Sequence, residues 1–350
     1  MSKKALIAMS GGVDSSVAAV MMAEAGYDCL GVTMRLHDGD NCGAAKEAED
    51  ARKIADTLGF PFEVADLREV FSTQVMDRFV SAYEAGDTPN PCIECNRYMK
   101  FGALMEYANE RGCDTLVTGH YARVEYDGEK YRLKKAKNAA KDQTYVLYFL
   151  TQEQLAHIAF PLGEMESKEQ IRGIAAGYGF VSAHKADSQD ICFVPDGKYA
   201  DFIRQRTGRD YPVGDFVDAE GRVLGQHKGL IHYTIGQRRG LGLALPAPLY
   251  VRSKSVEDNT VLLTPESELY TTRLVADGFN WVDGAAPSQP IRVTARTRYN
   301  AKEADATVTA LPDGRAEVVF DAPQRAVTTG QAVVLYDGAY VVGGGRICEV

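Results

Sequence analysis

The chain has 350 residues, 45% of them hydrophobic and 25% charged, a balance that suits a soluble globular protein of two or three domains. No run of about 18 apolar residues is present to span a bilayer, and a net charge of −9 excludes bulk positive charge as the means of gripping nucleic acid, while leaving room for a local basic groove. Seven scattered cysteines do not make a secreted disulfide framework, and the short apolar start broken by Gly11-Gly12 does not read as a signal peptide, so a cytoplasmic setting is expected.

The first half alternates strand and helix. Residues 4–9 (KALIAM) read as a buried strand, and 15–25 as a helix stopped by Gly26. A strand over 29–36 follows, then a helix over 46–58 with Ala48, Ala51, Ile54, Ala55 and Leu58 on one stripe and Gly59 as its stop. Strands over 61–67 and 114–122, with helices near 70–85 and 98–111, continue the pattern. Such alternation predicts an α/β fold with a mostly parallel sheet covered on both faces. Asp127-Gly128 between two alternating segments signals a hairpin. Helices over 152–159 and 168–178 come next, the second with Ser167 and Gln170 as a capping box. From about Gly208 short alternating strands dominate, predicting two small barrel-like or sandwich units that meet near Thr272.

The joint between the first strand and helix is Ser10-Gly11-Gly12-Val13-Asp14-Ser15-Ser16. Two glycines let backbone approach a ligand closely, free N–H groups converge there, and the helix N-terminus adds positive potential. A pyrophosphate fits these properties; so does an ordinary capped turn. Neither GxxxxGK[ST] nor GxGxxG occurs at this joint. The segment resembles the PP-loop of the ATP pyrophosphatases, which cleave ATP between its α- and β-phosphates and adenylate an oxygen. That resemblance implies that Ala8, Met9, Ser10, Gly11, Gly12, Val13, Asp14 and Ser15 hold ATP, that Met34 lies near the adenine, and that Gly119 of the TGHY segment lines the pocket at a strand end. Mg²⁺ is expected on the phosphates.

A second cluster is built of thiols. The stretch TPNPCIECNRYMKFG (88–102) holds Cys92 and Cys95 ahead of a helix, whose N-terminal potential would lower a thiol pKa. Cys192 lies in DSQDICFV, while Cys29, Cys42, Cys113 and Cys348 are isolated and read as buried, inert thiols. Half a zinc site is the competing reading of the C-x-x-C, but no second C-x-x-C and no H-x-x-x-H accompanies it.

The segments AMSGGVDSS, TPNPCIECNRYMKFG, TGHYAR, KDQTYVLYFL, DSQDICFV and HYTIGQRRGLG follow one another in the order typical of the bacterial tRNA-specific 2-thiouridylases. The resemblance runs from residue 5 to about residue 338. It implies a PP-loop domain (1–200), a small central domain (201–272) and a C-terminal β-barrel (273–350). It also implies ATP-dependent 2-thiolation of the wobble uridine of tRNAs for Lys, Glu and Gln, with a cysteine desulfurase or sulfur-relay protein as donor. In that scheme Cys192 carries the sulfur as a persulfide and Cys95 is its partner thiol. Cys92 stands where many relatives carry Asp, which leaves the proton-transfer step open. It also suggests a second route, a [4Fe–4S] cluster on Cys92, Cys95 and Cys192 that binds sulfide at its fourth iron, and the extra thiol tilts the balance slightly that way.

For tRNA the resemblance implies a base pocket at Asn90, Pro91 and Cys92 with His120 close by, and further contacts from Lys141, Asp142, Gln143, Arg298, Tyr299 and Gln331. The basic run of Arg132, Lys134, Lys135, Lys137 and Lys141 reads as phosphate contact, and Arg238-Arg239 as a second basic spot. Rival readings are a PP-loop sulfurtransferase acting on another base, an amide-forming ligase and a non-catalytic metal- or RNA-binding protein. The all-β C-terminal half, the three aligned cysteines and the intact turn weigh against them in that order.

Overall fold

The computed structural model describes residues 3–38, 44–184, 191–194 and 197–350, so Cys42 and the 187–190 part of the DSQDICFV segment lie outside the described residues. The N-terminal strands are β1 (Lys4–Ala8), β2 (Asp28–Arg35), β3 (Phe62–Asp66), β4 (Thr115–Val117), β5 (Ala122–Tyr126), β6 (Tyr131–Lys135) and β7 (Ile158–Ala159). Five of them form the parallel sheet β3-β2-β1-β4-β7. Side-chain alternation along β1 feeds two separate cores. Leu6 packs with Leu30, Leu116, Phe101 and Leu104 on one face. Ala5 and Ile7 pack with Val17, Ala18, Ile171 and Ala175 on the other, beneath helices α1 (Val13–Glu24) and Lys168–Gly177. The sheet is thus covered on both faces, as the alternating pattern predicts.

Two long helical runs, 68–84 and 91–110, each contain a π segment, Ser72–Asp77 and Cys95–Ala103. The second run starts earlier than the expected 98. Asn90 accepts the Cys92 N–H at 3.1 Å as N-cap and Pro91 occupies the first turn, a strong start signal. Helix Tyr199–Thr207, unforeseen in the sequence, ends at Gly208 with φ +65°.

The middle unit holds β8 (Gly214–Val217), β9 (Val223–His227), β10 (Tyr250–Ser255) and β11 (Thr260–Thr264) in the order β10-β11-β8-β9, around Phe216, Val251, Val261 and Leu263. Then come β12 (Tyr270–Trp281), β13 (Ile291–Arg296), β14 (Ala304–Ala310), β15 (Ala316–Arg325), β16 (Ala332–Asp337) and β17 (Tyr340–Glu349). Pairing of β12 with β17 closes these six strands into a barrel filled by Leu274, Val308, Val318, Phe320 and Leu335. The hairpin β5–β6 reaches across from the first domain and pairs with β17 at Lys134 and Tyr340.

Candidate active site

The turn after β1 is shaped by its glycines. Gly11 has φ +67°, and a Cβ there would stand 2.6 Å from the Glu47 carbonyl oxygen. Gly12 caps α1, and its carbonyl accepts from the Ser15 and Ser16 hydroxyls at 3.1 and 2.8 Å. Ser10 N–H donates to Ser15 Oγ at 3.2 Å. Gly119, just past β4, comes so near the first turn of α1 that a Cβ would lie 2.9 Å from Asp14 C and Ser15 N. Met9 is buried at the end of the strand, its carbonyl accepting from Thr33 Oγ1 at 2.6 Å, and Met34 sits between two cores at the end of β2. Ala8 closes β1 and Val13 opens α1, so every residue expected to hold ATP except Met34 and Gly119 lies in one strand–turn–helix unit. The glycines thus let the Glu47 backbone and the strand-end loop pack closely against the turn, which sets the N-terminus of α1 at the end of β1.

Asp14 has two partners that the motif does not reveal. Tyr121 donates its hydroxyl to Asp14 Oδ1 at 2.6 Å, and Lys168 donates from Nζ to both carboxylate oxygens at 2.8 Å.

Cys92 and Cys95 lie within the first turns of helix 91–110 instead of ahead of it. The expected fall in their pKa is overturned. Surrounding protein pushes the Cys92 thiol up although its side chain still reaches solvent, and burial pushes Cys95 up to about 11, with Lys100 opposing both shifts and Cys92 reinforcing that of Cys95. Cys95 packs into a cluster with Phe71, Phe79 and Met99 to which Ile191 and Phe193, the neighbours of Cys192, also belong. Residues almost a hundred apart in sequence thus share one apolar neighbourhood, with the Cys92 and Cys192 side chains exposed beside it. Among the described residues no group of three or more His, Cys, Asp and Glu side chains is arranged to hold a metal ion. Cys92, Cys95 and Cys192 are soft ligands of the kind a [4Fe–4S] cluster takes, but they form no such group among the described residues, and no step is derived through one. Cys29 and Cys113 are buried, as expected of inert thiols, whereas Cys348 is half-buried.

The loop before Cys92 is held by the barrel. Gln331 donates to the Thr88 carbonyl at 2.7 Å, and Thr88 N–H donates to the Thr329 carbonyl at 3.1 Å. Beside this joint, Asn90, Pro91, Arg97, Tyr148, Gln331 and Arg346 line a cavity of about 610 Å³. Tyr299 is partly exposed, at 39%, and meets Tyr145 edge-on at 5.9 Å between centroids; the protein enclosing the rest of the ring raises its phenol pKa first, then Asp142, with Lys141 opposing and Cys92 adding to the rise.

Other residues expected at the RNA are turned inward. His120 is 6% exposed; its Nδ1 pairs with Thr118 Oγ1 at 2.7 Å and its Nε2 with Lys100 Nζ at 3.4 Å, and burial drives its pKa well below the ordinary value. Asp142 accepts from Ala136 N–H and Thr144 Oγ1, and Gln143 accepts from Tyr121 N–H at 2.9 Å. Arg298 donates from one terminal nitrogen to the Ala326 carbonyl at 2.6 Å, the Thr328 hydroxyl at 2.7 Å and the Ile235 carbonyl at 3.3 Å, joining barrel to middle unit. The basic run is not an open phosphate-binding face either. Arg132 pairs with Asp127 and Asp283, Lys134 with Glu125, Lys135 with Glu303 and Lys137 with Glu164. Two of these acids, Asp283 and Glu303, lie in the C-terminal unit, so the run fastens the hairpin to the barrel.

Among the described residues no helix is long and apolar enough to cross a membrane. Three family models match in succession: the tRNA methyl transferase HUP domain over 3–196, the tRNA methyl transferase PRC-barrel domain over 200–265 and the aminomethyltransferase beta-barrel domain over 271–347. Full-length relatives carry a sulfur-transfer name instead. The tRNA-specific 2-thiouridylase MnmA of Acetivibrio thermocellus is 48% identical over 99% of both chains, and that of Moorella thermoacetica 49% over 99% of both. Among solved structures, the U34-tRNA thiolase NcsA from Methanococcus maripaludis with its [4Fe-4S] cluster covers 57% of this chain and 64% of its own at 16% identity and a TM-score of 0.37, too distant to bear on mechanism. The PP-loop-like turn, the paired thiol segments and the full-length identity agree: the chain belongs to the tRNA-specific 2-thiouridylase family of sulfurtransferases.

Proposed function

We propose that this protein uses ATP to replace the C2 oxygen of a tRNA wobble uridine with sulfur carried on Cys192 and released by Cys95. The observation that carries the reading is the shared apolar neighbourhood of Cys95 and the Ile191–Phe193 flanks of Cys192, which also takes in Met34 of β2, the strand paired with the one that leads into the glycine turn. Oxide is a poor leaving group from the uracil C2. Attack of that oxygen on the ATP α-phosphorus, with loss of the N3 proton, expels pyrophosphate and makes AMP the group to be displaced. The terminal sulfur of a Cys192 persulfide then attacks C2 and AMP departs. Attack of the Cys95 thiolate on Cys192 Sγ breaks the S–S bond and leaves the sulfur on the base, where N3 regains a proton. The resulting Cys95–Cys192 disulfide needs an external thiol reductant, and the next persulfide needs a donor such as a cysteine desulfurase or a relay protein.

Mg²⁺ enters with ATP as part of the substrate. The base reaches the thiols by leaving its stack, as bases do in other modifying enzymes. Asn90, Pro91 and Cys92 border its path, Tyr299 offers a ring for stacking and Lys141 a cation for phosphate, with tRNAs for Lys, Glu and Gln as the expected substrates. The reading is tested by ATP-dependent thiolation of wobble-uridine tRNA with the wild type and with Cys92→Ser, Cys95→Ser and Cys192→Ser. Loss with Cys192→Ser and Cys95→Ser, and partial activity with Cys92→Ser, is the expected result.

A further inference from the structure

The turn at residues 10–16 has no lysine of its own, unlike a Walker loop, yet the nucleotide proposed to bind there carries about four negative charges beside the carboxylate of Asp14. A cation has to come from elsewhere. The ion pair that the turn makes among the described residues is with Lys168, whose side chain is 11% exposed and whose Nζ stands 2.8 Å from both Asp14 oxygens. Its position is fixed from below. Lys168 begins a helix whose capping box, Ser167 with Gln170, is complete, and Ile171 and Ala175 of that helix pack against Val17 and Ala18 of α1. The ammonium is therefore carried on a rigid element and aimed at the first turn of α1.

We infer that Lys168 is the phosphate-binding lysine of this site, moving from Asp14 to the β- and γ-phosphates when ATP binds and offsetting the charge of the departing pyrophosphate. The inference rests on the ATP-dependent reading above. As the uracil oxygen bonds to the α-phosphorus, the bond from that phosphorus to the bridging oxygen breaks and its electron pair leaves with pyrophosphate. Lys168 gains and loses no proton in the step; it supplies a charge-assisted hydrogen bond where negative charge grows.

The test compares MgATP, magnesium pyrophosphate and AMP binding to the full chain by calorimetry, in wild type, Lys168→Met and Lys168→Arg, with melting temperatures measured alongside. Lys168→Met is expected to weaken ATP and pyrophosphate by at least about tenfold while leaving AMP within about twofold, and Lys168→Arg to recover most of the loss. A lysine that merely braces Asp14 would shift all three ligands together. If Lys168→Met does not fold, the ATP-to-AMP ratio of Lys168→Gln decides in its place. A wild-type ratio in the folded variant overturns the inference alone; a wild type that binds neither ATP nor AMP overturns the activity reading and this inference with it.

Discussion

Gln331 reaches from the barrel to the Thr88 carbonyl, 2.7 Å away and four residues before Cys92, so the C-terminal unit holds the loop that leads into the thiol-bearing helix. The contact depends on the residue before it. Gly330 has φ +85°, and a Cβ there would lie 2.8 Å from Asp87 Cβ and 2.9 Å from Thr88 N. Gly330→Ala is expected to cost about 1–2 kcal/mol from the backbone conformation alone and to push the barrel off the loop. Thiolation and tRNA affinity should fall, while ATP affinity measured by calorimetry stays within about twofold.

At the other end of the site, Gly119 lets the strand-end loop touch the first turn of α1. Gly119→Ala places a methyl group 2.9 Å from two backbone atoms that have no room to retreat. A loss of ATP affinity of at least about tenfold is expected, roughly 1.4 kcal/mol or more, with tRNA binding in the absence of ATP largely kept.

The raised Cys95 thiol has a direct chemical readout. With its pKa pushed up to about 11 by burial, about one Cys95 in a thousand is thiolate at pH 8. Alkylation of Cys95 followed by mass spectrometry should run at least about tenfold slower than for a peptide cysteine at that pH, and should climb steadily to pH 10. Lys100→Met, which removes the opposing cation, should slow it further.

His120 makes stability depend on acid. Its folded pKa lies well below the ordinary value of 6.5, first through burial and then through Lys100, so the unfolded chain binds more protons in the window beneath 6.5. The stabilisation is complete above that value and is lost as pH falls towards the folded pKa, with a slope of at most about 1.4 kcal/mol per pH unit. Denaturant unfolding between pH 5 and 7 checks this, and His120→Asn should flatten that part of the profile.

The parallel sheet, the hairpin, the Ser167–Gln170 cap and the glycine turn were legible because each follows from local chemistry: side-chain period, a turn dipeptide, a cap pair, a backbone that only glycine relieves. Lys168 was not, since a lysine at the first position of a helix looks like any solvated charge until the fold brings it over Asp14. The same limit explains the basic run. Asp283 and Glu303, which take up Arg132 and Lys135, lie well over a hundred residues further along, so an apparently open cationic face became an inter-domain joint. The start of the cysteine helix was readable in Asn90-Pro91. The rise in the Cys95 pKa was not, because the cluster it packs into draws on segments far apart in the sequence, from Met34 to Ile231.

The most direct test of the central claim is single-turnover thiolation of wobble-uridine tRNA by persulfide-loaded protein with ATP, following thiouridine and the Cys95–Cys192 disulfide together. The account predicts one disulfide formed per thiouridine in the wild type, no product with Cys192→Ser, and with Cys95→Ser a tRNA held on Cys192 with no free thiouridine. Thiouridine formed at the wild-type rate by Cys95→Ser would contradict it.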